Sequence, residues 1–158
     1  MLINEDELKD FLAEAKKQGY AGYGKETPPS RPMSRDIPHQ RGDYAYLDSY
    51  LGELNFIGEE VVWHGGEPVW GMNYYGEMLT DSVPGEFDHC LKGALRSCPR
   101  EAPFRGPNRF SWEDLEYECA WEGDLASFSG EEAVFHQGIK IYKLKFHGGY
   151  LKFTAFSR

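Results

Sequence analysis

The pattern Gly-Glu-Glu-x-Val-x-His occurs twice, as Gly58-Glu59-Glu60-Val61-Val62-Trp63-His64 and as Gly130-Glu131-Glu132-Ala133-Val134-Phe135-His136. Adjacent carboxylates can serve as acid, base or counter-charge, depending on which of them is withdrawn from water. On a β-strand, alternate residues face opposite ways. Glu60, Val62 and His64 then share one face, and Glu59, Val61 and Trp63 the other. In the second copy Glu132, Val134 and His136 oppose Glu131, Ala133 and Phe135. The face with the large ring is the expected buried one, which makes Glu59 and Glu131 the candidate site carboxylates. A carboxylate among rings is costly unless it is paired, hydrogen-bonded or waiting for a cation. The plainer alternative pairs Glu59 and Glu131 with loop arginines such as Arg31 or Arg105 and leaves Glu60 and Glu132 solvated.

Other residues with chemical potential are fewer. Trp70, Asn73 and Tyr74, beside the gap left by Gly71, could supply an aromatic wall and a directional amide; an ordinary strand relieved of crowding by a glycine explains them as well. His64 and His136 with the nearby glutamates could share a metal, but strand-end histidines facing water are the expectation, and no metal or cofactor is assigned. Gly19-Tyr20-Ala21-Gly22-Tyr23-Gly24-Lys25-Glu26 approaches a phosphate-binding loop. It fails because Glu26 stands where Ser or Thr must hold magnesium, and because it follows a helix. No Cys-x-x-Cys, His-Glu-x-x-His or Gly-x-Ser-x-Gly pattern is present.

The elements that must position these residues are readable. Asn4 to Gly19 predicts a helix, capped by Asn4 with Glu7 in a capping-box position, apolar along Leu8, Phe11, Leu12 and Ala15, and closed by Gly19 in a left-handed C-cap. Residues 20–42 predict an irregular loop bearing Pro28, Pro29, Pro32 and Pro38 with Arg31, Arg35 and Arg41. Three strands follow: 44–50, with Tyr44, Tyr46, Asp48 and Tyr50 on one face, then 57–64, then 69–75 after a hairpin turn at residues 64–68. A second helix begins near Pro84, carries Phe87, Cys90, Leu91, Ala94, Leu95 and Cys98 as its stripe, and stops at Pro99. After a loop at 100–109, strands are expected at 115–121, 130–136 and 139–146, with a short last one at 150–156.

The halves match in register as well as order. Phe56 to His64 aligns with Phe128 to His136 at a constant spacing of 72 residues, which carries Trp70 onto Tyr142 and Gly76 onto Gly148. Upstream, at a spacing of 71, Asp43 falls on Asp114, Tyr46 on Tyr117 and Gly52 on Gly123. This predicts an internal duplication of a helix plus three strands. Neither half buries its aromatics alone, so the fold class is α+β: a single domain over 1–158, built of pseudo-repeats 4–79 and 84–156, with two helices packed on a mostly antiparallel sheet.

The 158 residues suit one core, and ten Tyr, ten Phe and four Trp exceed what that core needs, so some rings should line a cleft. A formal net charge of −9 argues against direct nucleic-acid binding. The N-terminus has no basic or apolar leader, and no run is long enough to span a membrane, so no membrane partner is expected. Three cysteines without close pairing favour a reducing, cytoplasmic setting.

Ser30-Arg31-Pro32, Gly42-Asp43-Tyr44, Gly58-Glu59-Glu60 and Pro68-Val69-Trp70-Gly71-Met72-Asn73-Tyr74, with Phe104-Arg105-Gly106-Pro107 and Phe146-His147-Gly148-Gly149, resemble a family of small prokaryotic proteins catalogued only as a domain of unknown function. The resemblance covers nearly the whole chain. Members of that family also occur fused behind Xre-type helix-turn-helix domains, which implies a sensing or effector-binding role. A looser, fold-level analogy is to GyrI-like effector-binding domains. The leading expectation is a binding module for a small cationic or aromatic ligand, with Trp63, Phe135, Trp70 and Tyr142 as ring faces, Glu59 or Glu131 as counter-charge, and Asn73, Tyr74 and Arg31 nearby. The first alternative is a small enzyme with a strand glutamate as general base and the Arg31 loop binding an anion. The second is a protein-interaction domain, for instance a homodimer using exposed aromatics.

Overall fold

The computed structural model describes residues 3–154. Helix α1 spans Glu5–Gln18. The Asn4 side chain accepts from the backbone N–H of Asp6 (3.1 Å) and Glu7 (3.3 Å), filling the donors that a helix start leaves free. Acidic residues in its first turn and Lys16 and Lys17 in its last complement the helix dipole. Leu8, Phe11, Leu12 and Ala15 are fully buried. Gly19 does not take the expected left-handed conformation; its φ is −77°. The chain tightens into one 3-10 turn, Tyr20–Gly22, and reverses at Tyr23, with φ of 57°. Gly19 is needed for space, because a Cβ there would lie 2.8 Å from the Ala15 carbonyl oxygen.

Eight strands follow: β1 Arg35–Arg41, β2 Tyr44–Gly52, β3 Asn55–His64, β4 Glu67–Met78, β5 Arg109–Trp112, β6 Leu115–Asp124, β7 Ser127–His136 and β8 Ile139–Tyr150. Helix α2, Phe87–Arg96, separates β4 from β5. The strands form one sheet in the order β1-β2-β3-β4-β8-β7-β6-β5, and every pair is antiparallel. Each half is therefore a helix and a four-strand meander, one strand more than expected. The extra strands, β1 and β5, lie at the two edges. Pro38 does not break β1, since an edge strand can leave one side of its backbone unpaired. The last expected strand is absent over 151–154, because β8 runs unbroken to Tyr150; its remaining residues, 155 and 156, lie outside the described residues.

Both helices cover the same face of the sheet. On that face Tyr44, Tyr46, Asp48 and Tyr50 of β2 are all buried, as their alternation requires. Trp70 of β4 stacks on Phe128 of β7 at 5.5 Å between centroids, joining the halves across the central β4–β8 pair. On the opposite face Ile57, Glu59, Asn73, Tyr75, Glu131 and Lys145 are exposed.

Candidate functional site

A cavity of about 390 Å³ opens between the first meander, the Tyr20–Gly24 segment, α2 and the loop carrying Arg105. Its floor is Asp48 of β2, only 6% exposed. Pairing places Asp48 opposite Glu60 on β3, and Tyr74 of β4 opposite Gly58. Because Gly58 has no Cβ, the Tyr74 ring can lie over the strand. Its hydroxyl donates to Asp48 Oδ1 at 2.6 Å.

Behind this floor the core holds two built ion pairs. Lys16 of α1 binds Glu60, which the Tyr46 hydroxyl also contacts. Arg105 grips Glu132 through two nitrogens, at 3.1 and 2.5 Å. The hydroxyls of Tyr117 and Tyr142 donate to the same carboxylate at 2.5 and 2.9 Å, and the Gly106 N–H donates to the Tyr117 oxygen at 3.0 Å. A void of about 20 Å³, the size of one water, separates Lys16, Glu60, Asp48 and Arg105.

In this cluster three buried carboxylates thus face two buried cations, and Asp48 is the one without a cation bound to it; the fourth buried carboxylate, Asp36, lies apart and is held by Ser30, Ser34 and Ser49. Burial pushes its carboxyl up to about 7, and the Glu60 charge pushes the same way; the Tyr74 hydroxyl, Arg105 and Lys16 pull back only in part. Burial and the Asp48 and Glu60 charges likewise hold the Tyr74 phenol well above its ordinary range. Burial opposes the charge on Arg105, but Glu132 outweighs it and keeps the guanidinium firmly protonated.

The walls are Tyr20, Tyr50, Phe56, Ile37 and Leu91. Tyr20 meets Tyr50 edge-on at 6.1 Å. At the rim Arg35 pairs with Glu26 at 2.6 Å and Lys92 with Asp88 at 3.2 Å. The Lys92 ammonium also sits 3.7 Å from the Tyr23 ring centre and 4.9 Å from that of Tyr20.

The expected site residues scatter. Tyr74 lines the cavity. Tyr142 is buried beside it, with its hydroxyl on Glu132, and Trp70 is buried within the core. Glu59 and Glu131 are exposed, with Glu131 paired to Lys145 at 3.3 Å, so the expectation that they occupy the buried face is corrected. The buried members are Glu60 and Glu132, at 3% and 1% exposure. The rings misled: Trp63 and Phe135 are only half-buried, and each follows a bulge, after Val62 in β3 and after Val134 in β7. Asn73 faces solvent with Glu59, its cross-strand neighbour. Arg31 lies outside the cavity and binds Ser49, at 2.6 Å to its hydroxyl and 3.2 Å to its carbonyl. The arginine partner foreseen for a repeated glutamate exists, but Arg105 holds Glu132, not Glu131.

Asp48, Tyr20, Tyr50 and Phe56 were missed as site residues. A signal was present: Asp48 is the sole charge in the alternating series Tyr44, Tyr46, Asp48, Tyr50, whose other members demand burial. No group of three or more His, Cys, Asp or Glu among the described residues is placed to hold a metal ion, and no helix among them is long and apolar enough to cross a membrane. The sequence pattern of the family described as "Domain of unknown function (DUF5680)" matches residues 48–151, more than half of the chain. No curated protein and no solved structure matches it.

Proposed function

Because the chain belongs to that family, whose description carries no activity, we propose from the geometry that it is a binding module for a small organic cation, taken into the cavity with its ammonium on Asp48. The observation that carries this reading is the imbalance of the buried cluster. Glu60 has Lys16 and Glu132 has Arg105, while Asp48 faces open space lined by rings. An ammonium there gains a desolvated counter-charge and the faces of Tyr20, Tyr50 and Phe56. The volume suits a small molecule.

Binding should be linked to pH. The groups around Asp48 are Tyr46 and Tyr50 on its own strand, Glu60 on β3, Tyr74 on β4, Lys16 on α1, Tyr20 and Arg105, with Arg35, Asp88 and Lys92 at the mouth. A cation needs the ionised carboxylate, so affinity should rise by up to about tenfold per pH unit towards 7 and level off above it. Calorimetric titration of simple alkylamines at pH 5.5 and 8 tests this. Binding that is no weaker at pH 5.5, or that survives Asp48→Asn, would defeat the proposal.

A second reading, a small enzyme, draws on the same carboxylate. A side chain titrating near 7 in a cavity suits a general base better than the exposed Glu59 does. Turnover of a bound amine, lost in Asp48→Asn, would favour it.

We also infer that the halves descend from an internal duplication of one helix-and-meander unit. Supporting this are the bulges at equivalent points of β3 and β7, and Gly52 and Gly123, with φ of 98° and 89° at the ends of β2 and β6. A reducing compartment fits the three free, buried cysteines.

A further inference from the structure

Two carboxylates that line the cavity have no cation, one of them buried and the other exposed. At the rim Glu26 is matched by Arg35 and Asp88 by Lys92. Arg105 is committed to Glu132. Among the described residues this leaves Asp48 on the floor and Glu53, which lines the mouth just beyond the end of β2. The chain between them runs as strand only to Gly52, where φ of 98° turns it out of the sheet, so their Cα atoms are at most roughly 16 Å apart and both side chains border the one cavity. The rings of Tyr50 and Phe56 line the same cavity, a surface for methylene groups.

Resting on the amine-binding reading above, we infer that the cavity is built for a linear aliphatic dication, an α,ω-diamine with its inner ammonium on Asp48 and its outer one on Glu53. A monoamine satisfies the floor alone. The protein's net charge of −9 raises the local concentration of multivalent cations and favours their encounter.

The test is a calorimetric comparison of heptane-1,7-diamine with octylamine, in which a methyl replaces the second ammonium, and of propane-1,3-diamine with butylamine. Each is titrated into the wild type, Glu53→Gln and Asp48→Asn. Glu53 is exposed, so its variant should fold normally. The long diamine's advantage over octylamine is expected to fall about three- to fivefold in Glu53→Gln, the range of a solvent-exposed ion pair. It should also shrink in 1 M salt, and the short pair reports whether a shorter span reaches both carboxylates. If Glu53→Gln leaves both diamine-to-monoamine ratios unchanged while the amines still need Asp48, the dication assignment fails and the amine site stands. If no amine binds, or Asp48→Asn binds them equally, the amine site fails and the dication assignment with it.

Discussion

The two halves of the sheet offer the same positions and fill them differently. Asp48 lies opposite Glu60 in the first half, and Cys119 lies opposite Glu132 in the second. Tyr74 lies opposite Gly58, and Phe146 opposite Gly130. A carboxylate and a hydroxyl in one half are thus a thiol and a plain ring in the other. Burial pushes the Cys119 thiol up to about 12, so it packs there as a neutral group. Around Asp48 the core is open by about 390 Å³, whereas in the second half Phe104 stacks on Phe128 at 3.9 Å and meets Phe146 at 6.3 Å. The connecting loops decide the outcome. The loop after α2 turns inward and buries Phe104 and Arg105. The loop after α1 places Arg31 on Ser49, next in sequence to Asp48 but facing the other way, and leaves Met33 89% exposed. One half is packed for stability, and the other gives up packing for an accessible cavity.

The comparison breaks most visibly on the packed side. Glu132→Ala strands Arg105 without its counter-charge and should cost about 3–5 kcal/mol, read as a lower urea midpoint. Phe104→Ala should cost a similar amount, about 3–5 kcal/mol, and open an apolar void where the first half has a polar one. On the open side the sign reverses. Asp48 titrates near 7 in the folded protein, above its unfolded value, so the folded state holds an extra proton between about pH 4 and 7. Stability therefore falls as pH rises through that window and is flat above it. Asp48→Asn should remove this slope, gaining about 2–4 kcal/mol at pH 8 and little at pH 4, while losing amine binding. Denaturant curves at the two pH values check it. The helices differ more mildly. Asn4 caps α1, while Glu86 gives α2 no side-chain cap, so Asn4→Ala should cost about 1 kcal/mol by the same measurement. Smallest of all, Glu59→Gln and Glu131→Gln should stay within about 0.5 kcal/mol and leave amine binding intact by calorimetry.

Much of the frame was legible from local rules. Asn4 announced the start of α1, and alternation put Tyr44, Tyr46, Asp48 and Tyr50 on one face of β2, the face the structure buries. Periodicity was weaker where both faces of a strand held plausible core residues. In Glu59 to Trp63 it separated the two faces without saying which was inside, and the bulge after Val62 made Trp63 a poor guide. Gly58 and Gly130 were better markers, since a strand glycine often signals a ring crossing over it, here Tyr74 and Phe146. Edge strand β1 was hidden because Pro38 and the charges of Arg35 and Arg41 read as loop, and β5, only four residues long, fell between the expected loop at 100–109 and the strand at 115–121. The cavity itself was not legible. It depends on the path of two loops, and a sequence window does not show which loop turns inward.

Those same edge strands have a consequence for how the protein behaves at high concentration. An open eight-stranded sheet ends in two rows of backbone groups that another chain could zip onto. On β1 the proline lacks an N–H to offer, Arg35 and Arg41 add repelling charge, and the bridge from Thr27 to Asp36 already occupies part of the row. At the far end β5 offers only four residues, Arg109–Trp112. Neither border gives a fibril a long and plain template, so the two edge strands that the sequence did not reveal also disfavour growth of the sheet by edge-to-edge pairing.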